Sequence, residues 1–193
     1  MQEHYRRTML SSSNRGGWGA GGLLLALMLT QVGCVSSRPE PGQRARALRM
    51  APQSSARYQC GPSTLASVLA FHGEPVPEQV ITEAIYSPTA QGVLLSDMAW
   101  FARKQGFRAD VLTGGMDDLK QAVEERLPPI VLLDYGIAHL RKPHFTAITG
   151  VIDGGIFQLN DKRADEYVRM KLFTRLWKRA GNQYLIFTPA ASP

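Results

Sequence analysis

The sequence predicts an α+β fold, a helical N-terminal half packed on an antiparallel sheet, and three observations carry that expectation. Runs with helical spacing dominate residues 61–127, and strand-like apolar runs dominate residues 130–188. The turn Asp153-Gly154-Gly155 joins two of the apolar runs at hairpin distance. Helices leading and strands trailing argue against a doubly wound parallel sheet, which needs the two to alternate.

The elements follow in order. Gly61–Gly73 carries Pro62 near its start, Leu65, Val68, Leu69 and His72 at helical spacing, and Gly73 as a stop. Further helices are predicted at Pro77–Tyr86, at Leu94–Gln105 before Gly106, and at Met116–Leu127 with Asp117 and Asp118 in its first turn. Strands are predicted at Phe107–Leu112, Ile130–Tyr135, Phe145–Ile152, Ile156–Leu159 and Tyr184–Thr188, with a helix at Phe173–Arg179 before the last.

With 193 residues, 44% apolar and 20% charged, the chain suits one domain plus accessory sequence. The net charge of +6 includes Arg6, Arg7 and Arg15 against Glu3 in the first 33 residues, leaving +4 for the rest. No Lys/Arg run is interleaved with aromatics, so nucleic acid is set aside as a partner. The two cysteines, Cys34 and Cys60, form no spaced framework, and the histidines His4, His72, His139 and His144 are too scattered to suggest a metal site. No cofactor is expected.

Residues 1–33 have the layout of a signal peptide: a basic start, an apolar run from Ala20 to Leu29, and small residues ending at Gly33-Cys34. The apolar run is about half the length that ~30 Å of hydrocarbon requires of a spanning helix. Gln31-Val32-Gly33-Cys34 resembles a bacterial lipobox, although Gln31 stands where an aliphatic residue is usual. The resemblance implies lipidation at Cys34, export, and an outer-membrane lipoprotein facing the periplasm. Tyr5-Arg6-Arg7 also resembles a twin-arginine export motif. Residues 34–50, with Pro39, Pro41 and several arginines, read as a tether, and residues 51–193 as the domain.

Cys60 stands immediately before the first predicted helix. A helix N-terminus offers unsatisfied N–H groups and partial positive charge, which lower a cysteine pKa from ~8.5 and favour the thiolate. The same groups, with the cysteine's own amide, suit an oxyanion. A cysteine nucleophile needs a base from far along the chain, and His144, opening the strand after Pro143, is the best-placed candidate. His139 in the preceding loop is its rival, while His72 reads as a packing residue. The turn at Gly154-Gly155 returns the chain so that Asn160-Asp161 would lie beside His144, where an acceptor fixes the imidazole tautomer.

The series Gln59-Cys60-Gly61-Pro62-Ser63-Thr64-Leu65-Ala66, Pro143-His144-Phe145 and Asn160-Asp161 resembles the double-glycine leader peptidases, the bacteriocin-processing peptidases of the papain-like superfamily. The closing pattern Phe173, Trp177 and Tyr184-Leu185-Ile186-Phe187-Thr188-Pro189 resembles that family's final helix and strand. The resemblance implies a papain-like fold and a thiol endopeptidase acting on a peptide or unstructured protein, as a monomer. It assigns Cys60 as nucleophile, His144 as base and Asp161 as orienting carboxylate, with Asn160 as substitute. Gln53 then serves the oxyanion, with Gln59 as the alternative. A peptide-binding lipoprotein that does not cut, and an amidase or acyltransferase using the same Cys-His pair, are the competing readings.

Overall fold

The computed structural model describes residues 47–51, 60–89, 92–160 and 163–189, together with Pro39. Pro62 in the first turn, where no intrahelical N–H bond is needed, and Gly73 just past the end bound helix α1 (Cys60–Phe71). Gly73 takes φ +90°, a left-handed conformation that stops the helix at little cost. Helix α2 (Glu78–Ile85) buries Ile81 and Ile85, and α3 (Leu95–Lys104) buries Leu95, Met98, Ala99 and Ala102, all at helical spacing.

Strand β1 (Phe107–Thr113) and helix α4 (Met116–Glu124) come next. The Asp118 carboxylate accepts the Gly115 N–H at 2.7 Å and so satisfies one orphan donor at the α4 N-terminus. Strands β2 (Ile130–Asp134), β3 (Pro143–Ile152), β4 (Gly155–Asn160) and β5 (Arg163–Arg169) precede helix α5 (Met170–Arg179) and strand β6 (Gln183–Pro189). Among the described residues the six strands form one antiparallel sheet in the order β1-β6-β2-β3-β4-β5. The α+β expectation holds.

Directly paired residues on neighbouring strands point to the same face. Phe145 pairs with Leu132, and its ring lies against Gly61 of α1. Tyr184 pairs with Val131, one step out of phase, and its ring meets Trp177 of α5 at 6.4 Å. Helices α1 and α5 therefore cover opposite faces of the sheet. Leu65, Leu69, Ile130, Leu133, Ile148, Phe173 and Trp177 are buried between these layers.

Two findings differ from the sequence reading. Strand β5 was not expected, because Arg163-Ala164-Asp165-Glu166-Tyr167-Val168-Arg169 carries four charges and lacks an apolar run. Those charges suit the edge position it occupies, where they discourage pairing with another chain. The core also reaches back into the segment expected as tether. Leu48 and Met50 are buried, and the Leu48 N–H donates to the Thr149 carbonyl at 2.7 Å.

Candidate active site

Cys60 is the first residue of α1 and is half-buried. The first turn of this helix is seated on β3 by two contacts. Gly61 lies so close to its neighbours that a Cβ there would come within 2.3 Å of a Val93 methyl and 3.2 Å of the Phe145 ring. The Thr64 hydroxyl donates to the Phe145 carbonyl at 3.3 Å. Phe145 follows His144 directly, so the close approach that glycine permits brings the helix terminus to the histidine.

On the other side, the β3–β4 hairpin returns with Ile152 opposite Gly155 and Ile148 opposite Gln158, through an irregularity between Ile148 and Gly150. The Thr146 hydroxyl donates to the Leu159 carbonyl across the pair. Asn160, two residues past Gln158, thereby comes to line the same recess as His144. Cys60, Ser63, Thr64, His144 and Asn160 line one recess, flanked by Phe145 and Leu159, with an internal volume of about 10 Å³. That is room for barely one water, so a substrate would meet these groups at the mouth of the recess.

Cys60, His144 and Asn160 are thus brought together by the fold. Asp161, Gln53, Gln59 and Cys34 lie outside the described residues. His139 is exposed in the β2–β3 loop and does not line the recess. His72 sits just past the far end of α1, with Phe71, Phe107 and Phe187 ring centroids at 5.3, 5.7 and 5.4 Å. Burial there holds its pKa below 6.5, as befits a packing residue.

Sequence reading passed over Asp134 and Tyr135, at the end of β2. Asp134 is buried and accepts the Gly136 and Lys142 N–H groups at 2.8 and 3.0 Å, closing the base of the β2–β3 loop. Its other oxygen faces Arg141 Nε at 2.9 Å and, at 3.9 Å, Arg179 of α5. The Lys142 N–H is the main cause that holds the Asp134 carboxyl below its ordinary range. Burial opposes it, and Gly136, Arg141 and Arg179 add to it. The clamp fixes Tyr135, whose ring meets His144 edge-on with centroids 5.9 Å apart at 75°. Its signal in the sequence was the Asp134-Tyr135-Gly136 break at a strand end, where an Asp side chain often bonds the N–H two residues on.

Tyr135 also borders a second cavity of about 430 Å³, lined with Glu166, Tyr167, Val168, Arg169 and Leu172. Burial is the main cause raising the Tyr135 phenol above 10, with the Glu166 carboxylate adding to it and Gln158 opposing. Tyr135 therefore stands between the recess and this cavity.

The family model described as Peptidase C39 family matches residues 50–192. Three solved structures share the fold. The peptidase domain of Streptococcus ComA, described as a bi-functional ABC transporter involved in quorum sensing, is 20% identical, with 74% of this chain and 98% of that one covered at a TM-score of 0.60. A double glycine motif protease from an AMS/PCAT transporter, in complex with its leader peptide, is 20% identical, with 75% and 94% covered at a TM-score of 0.61. A Bacillus anthracis protein described as C39-like peptidase is 14% identical, with 70% and 91% covered at a TM-score of 0.60. None of the curated proteins compared with this chain matches it.

Proposed function

This chain belongs to the peptidase C39 family, and from that premise we propose that it is a thiol endopeptidase that cuts extended peptide segments through an acyl-enzyme on Cys60. The observation that carries the proposal is the shared recess, in which a cysteine at a helix N-terminus meets a histidine and an amide from two other elements.

In the first half-reaction His144 accepts the Cys60 thiol proton, and the sulfur attacks the substrate carbonyl carbon to form a C–S bond and an oxyanion. Backbone N–H groups at the start of α1 offer themselves to that oxyanion. Collapse breaks the C–N bond, and His144 gives its proton to the departing amine. A water then attacks the thioester, His144 accepting its proton and returning it to the Cys60 sulfur as the acid leaves.

The resemblance gives the orienting role to Asp161, and Asn160 is its alternative: Asn160 lines the recess, and an amide oxygen accepts an imidazole N–H as a carboxylate does, without adding charge. Tyr135 meets the same ring edge-on and limits its rotation. Export and lipid attachment at Cys34 belong to the proposal on the strength of the signal-like residues 1–33. The double-glycine leader is proposed as the substrate pattern, since small residues before the cut suit a tight site at the helix terminus.

A cysteine-directed activity probe, applied beside Cys60→Ala and His144→Ala, tests the reading. Labelling of the wild type and loss of peptide hydrolysis in both folded variants are expected, the His144 loss being on the order of 10²–10⁴-fold. Unchanged turnover in either variant defeats the mechanism.

A further inference from the structure

We propose that strand β1 is a self-association edge, along which two copies of this chain join β1 to β1, antiparallel about a two-fold axis at Ala109, into one continuous sheet. The partner is a second copy in place of the monomer that the resemblance implies, and the inference stands apart from the peptidase reading.

The two edges of the sheet, β1 and β5, differ in how they are protected. Strand β5 carries Arg163, Asp165, Glu166 and Arg169. Strand β1 carries only Arg108 and Asp110, and its Val111 and Leu112 are 37% and 42% exposed. An edge with few charges and exposed aliphatic side chains is a template for another strand.

The backbone shows which groups that edge offers. The Gly114 N–H donates to the Asn182 carbonyl at 3.2 Å, one step past the Thr113↔Gln183 pair. Hydrogen-bonded pairs alternate along an antiparallel ladder, so the even residues of β1 bond to β6. The N–H and C=O groups of Phe107, Ala109, Val111 and Thr113 therefore point out of the sheet. Pro189, which has no N–H to give, accordingly stands opposite Phe107. The Ala109 carbonyl accepts from the Arg103 side chain of α3, whose guanidinium also faces Asp110 at 3.5 Å. Arg103 thus guards one outward acceptor, and no strand among the described residues pairs with this row.

Only outward groups can bond across a new contact, so odd residues must meet odd ones. An axis at Arg108 would set two arginines opposite each other, and one at Asp110 two aspartates. An axis at Val111 sets Asp110 against Leu112. An axis at Ala109 sets Arg108 against Asp110 of the other copy on both sides, with Phe107 against Val111. Charge selects Ala109. In that register the Ala109 N–H of one copy replaces the Arg103 side chain on the Ala109 carbonyl of the other. Strand β3, which carries His144, is the third strand from β1, so both recesses stay open. An extended peptide has the same backbone to offer, but a second copy is favoured because Arg108 and Asp110 complement themselves across the axis.

The test is sedimentation equilibrium of the full chain in detergent across roughly 1–1,000 µM, the range in which a small interface exchanges. A monomer–dimer equilibrium is expected. R108D and D110R should each weaken it roughly tenfold, because two attractive pairs become two repulsive ones. An equimolar mixture of those two variants should restore it, since every carboxylate then faces a guanidinium. Arg103→Ala frees the Ala109 carbonyl and should tighten the dimer. Val111→Pro removes an outward N–H that β6 does not use, and should abolish the dimer while circular dichroism shows the fold kept. A wild type that stays monomeric throughout, a mixture no tighter than either charge variant alone, or an Arg103→Ala dimer no tighter than wild type overturns the proposal. Association that persists equally in R108D, D110R and Val111→Pro would belong to residues 1–46 and overturn it too. So would a monomeric chain that takes an extended peptide onto β1.

Discussion

Replacing Asp134 by alanine removes the acceptor on which the β2–β3 loop closes. The Arg141 side chain is 67% exposed, so its ion pair contributes about 0–1 kcal/mol after solvent screening. The larger share comes from the two N–H groups of Gly136 and Lys142, bound at 2.8 and 3.0 Å by a buried carboxylate. Hydrogen bonds to a charged group contribute roughly 1.5–3 kcal/mol each, so Asp134→Ala should cost about 3–6 kcal/mol. Asp134→Asn keeps an acceptor and should cost about 1–2 kcal/mol. Urea denaturation with an unchanged m-value measures both. The dependence on acid has a definite sign. The folded-state pKa is depressed below 3.8, so the stabilisation is whole above pH 3.8 and disappears as pH falls through the depressed value. The wild-type and Asp134→Asn curves should therefore converge in acid. A cost under about 1 kcal/mol for Asp134→Ala, or parallel curves, would show that the loop holds itself and that the clamp argument is wrong.

Gly61→Ala should destabilise the protein by about 1–3 kcal/mol and lower peptide hydrolysis more than stability explains, because the new methyl must push α1 away from Val93 and Phe145; equal activity at saturating peptide counts against the seating of Cys60. Asp161→Ala should reduce hydrolysis by roughly tenfold, less than the loss of a general base; a larger loss from Asn160→Ala moves the orienting role to Asn160. Burial holds the His72 pKa below 6.5, so the unfolded chain takes up its proton first as pH falls. Stability should then decline below about pH 6.5, by at most ~1.4 kcal/mol per pH unit, until the folded-state value is reached. His72→Phe should flatten that slope in a denaturation series across pH 5–8, and an unchanged slope would place the titrating group elsewhere.

Much of this was legible in the sequence because local chemistry spoke for it. Gly73 and Gly106 end their helices in the left-handed region at φ +90° and +86°, where glycine was read as a stop. The Asp153–Gly155 turn folds β4 back on β3, and the hairpin carries Asn160 to the recess that His144 lines. What escaped depended on distant partners. A strand with four charges in seven residues becomes a strand only because β4 offers it an edge. Asp134 looked like a strand end, and its role exists only once Lys142, Arg141 and Arg179 surround it. Gly61 looked like helix-start punctuation, and only the nearness of Val93 and Phe145 shows why a larger residue would not fit.

The position of β6 bears on when activity can begin. It is the last strand in sequence order, yet it lies between β1 and β2 and pairs with both, from Phe107↔Pro189 to Ile130↔Leu185. Until those residues have emerged, β1 has no neighbour in the sheet and β2 presents an open edge. Closing the sheet thus waits on a contact of long sequence separation, a slow kind of step in folding. The loop that positions His144 hangs from β2, so a nascent chain would carry Cys60 and His144 without the frame that aligns them. On the proposed reading, a chain that folds in this order gains its cutting site only after β6 has closed the sheet.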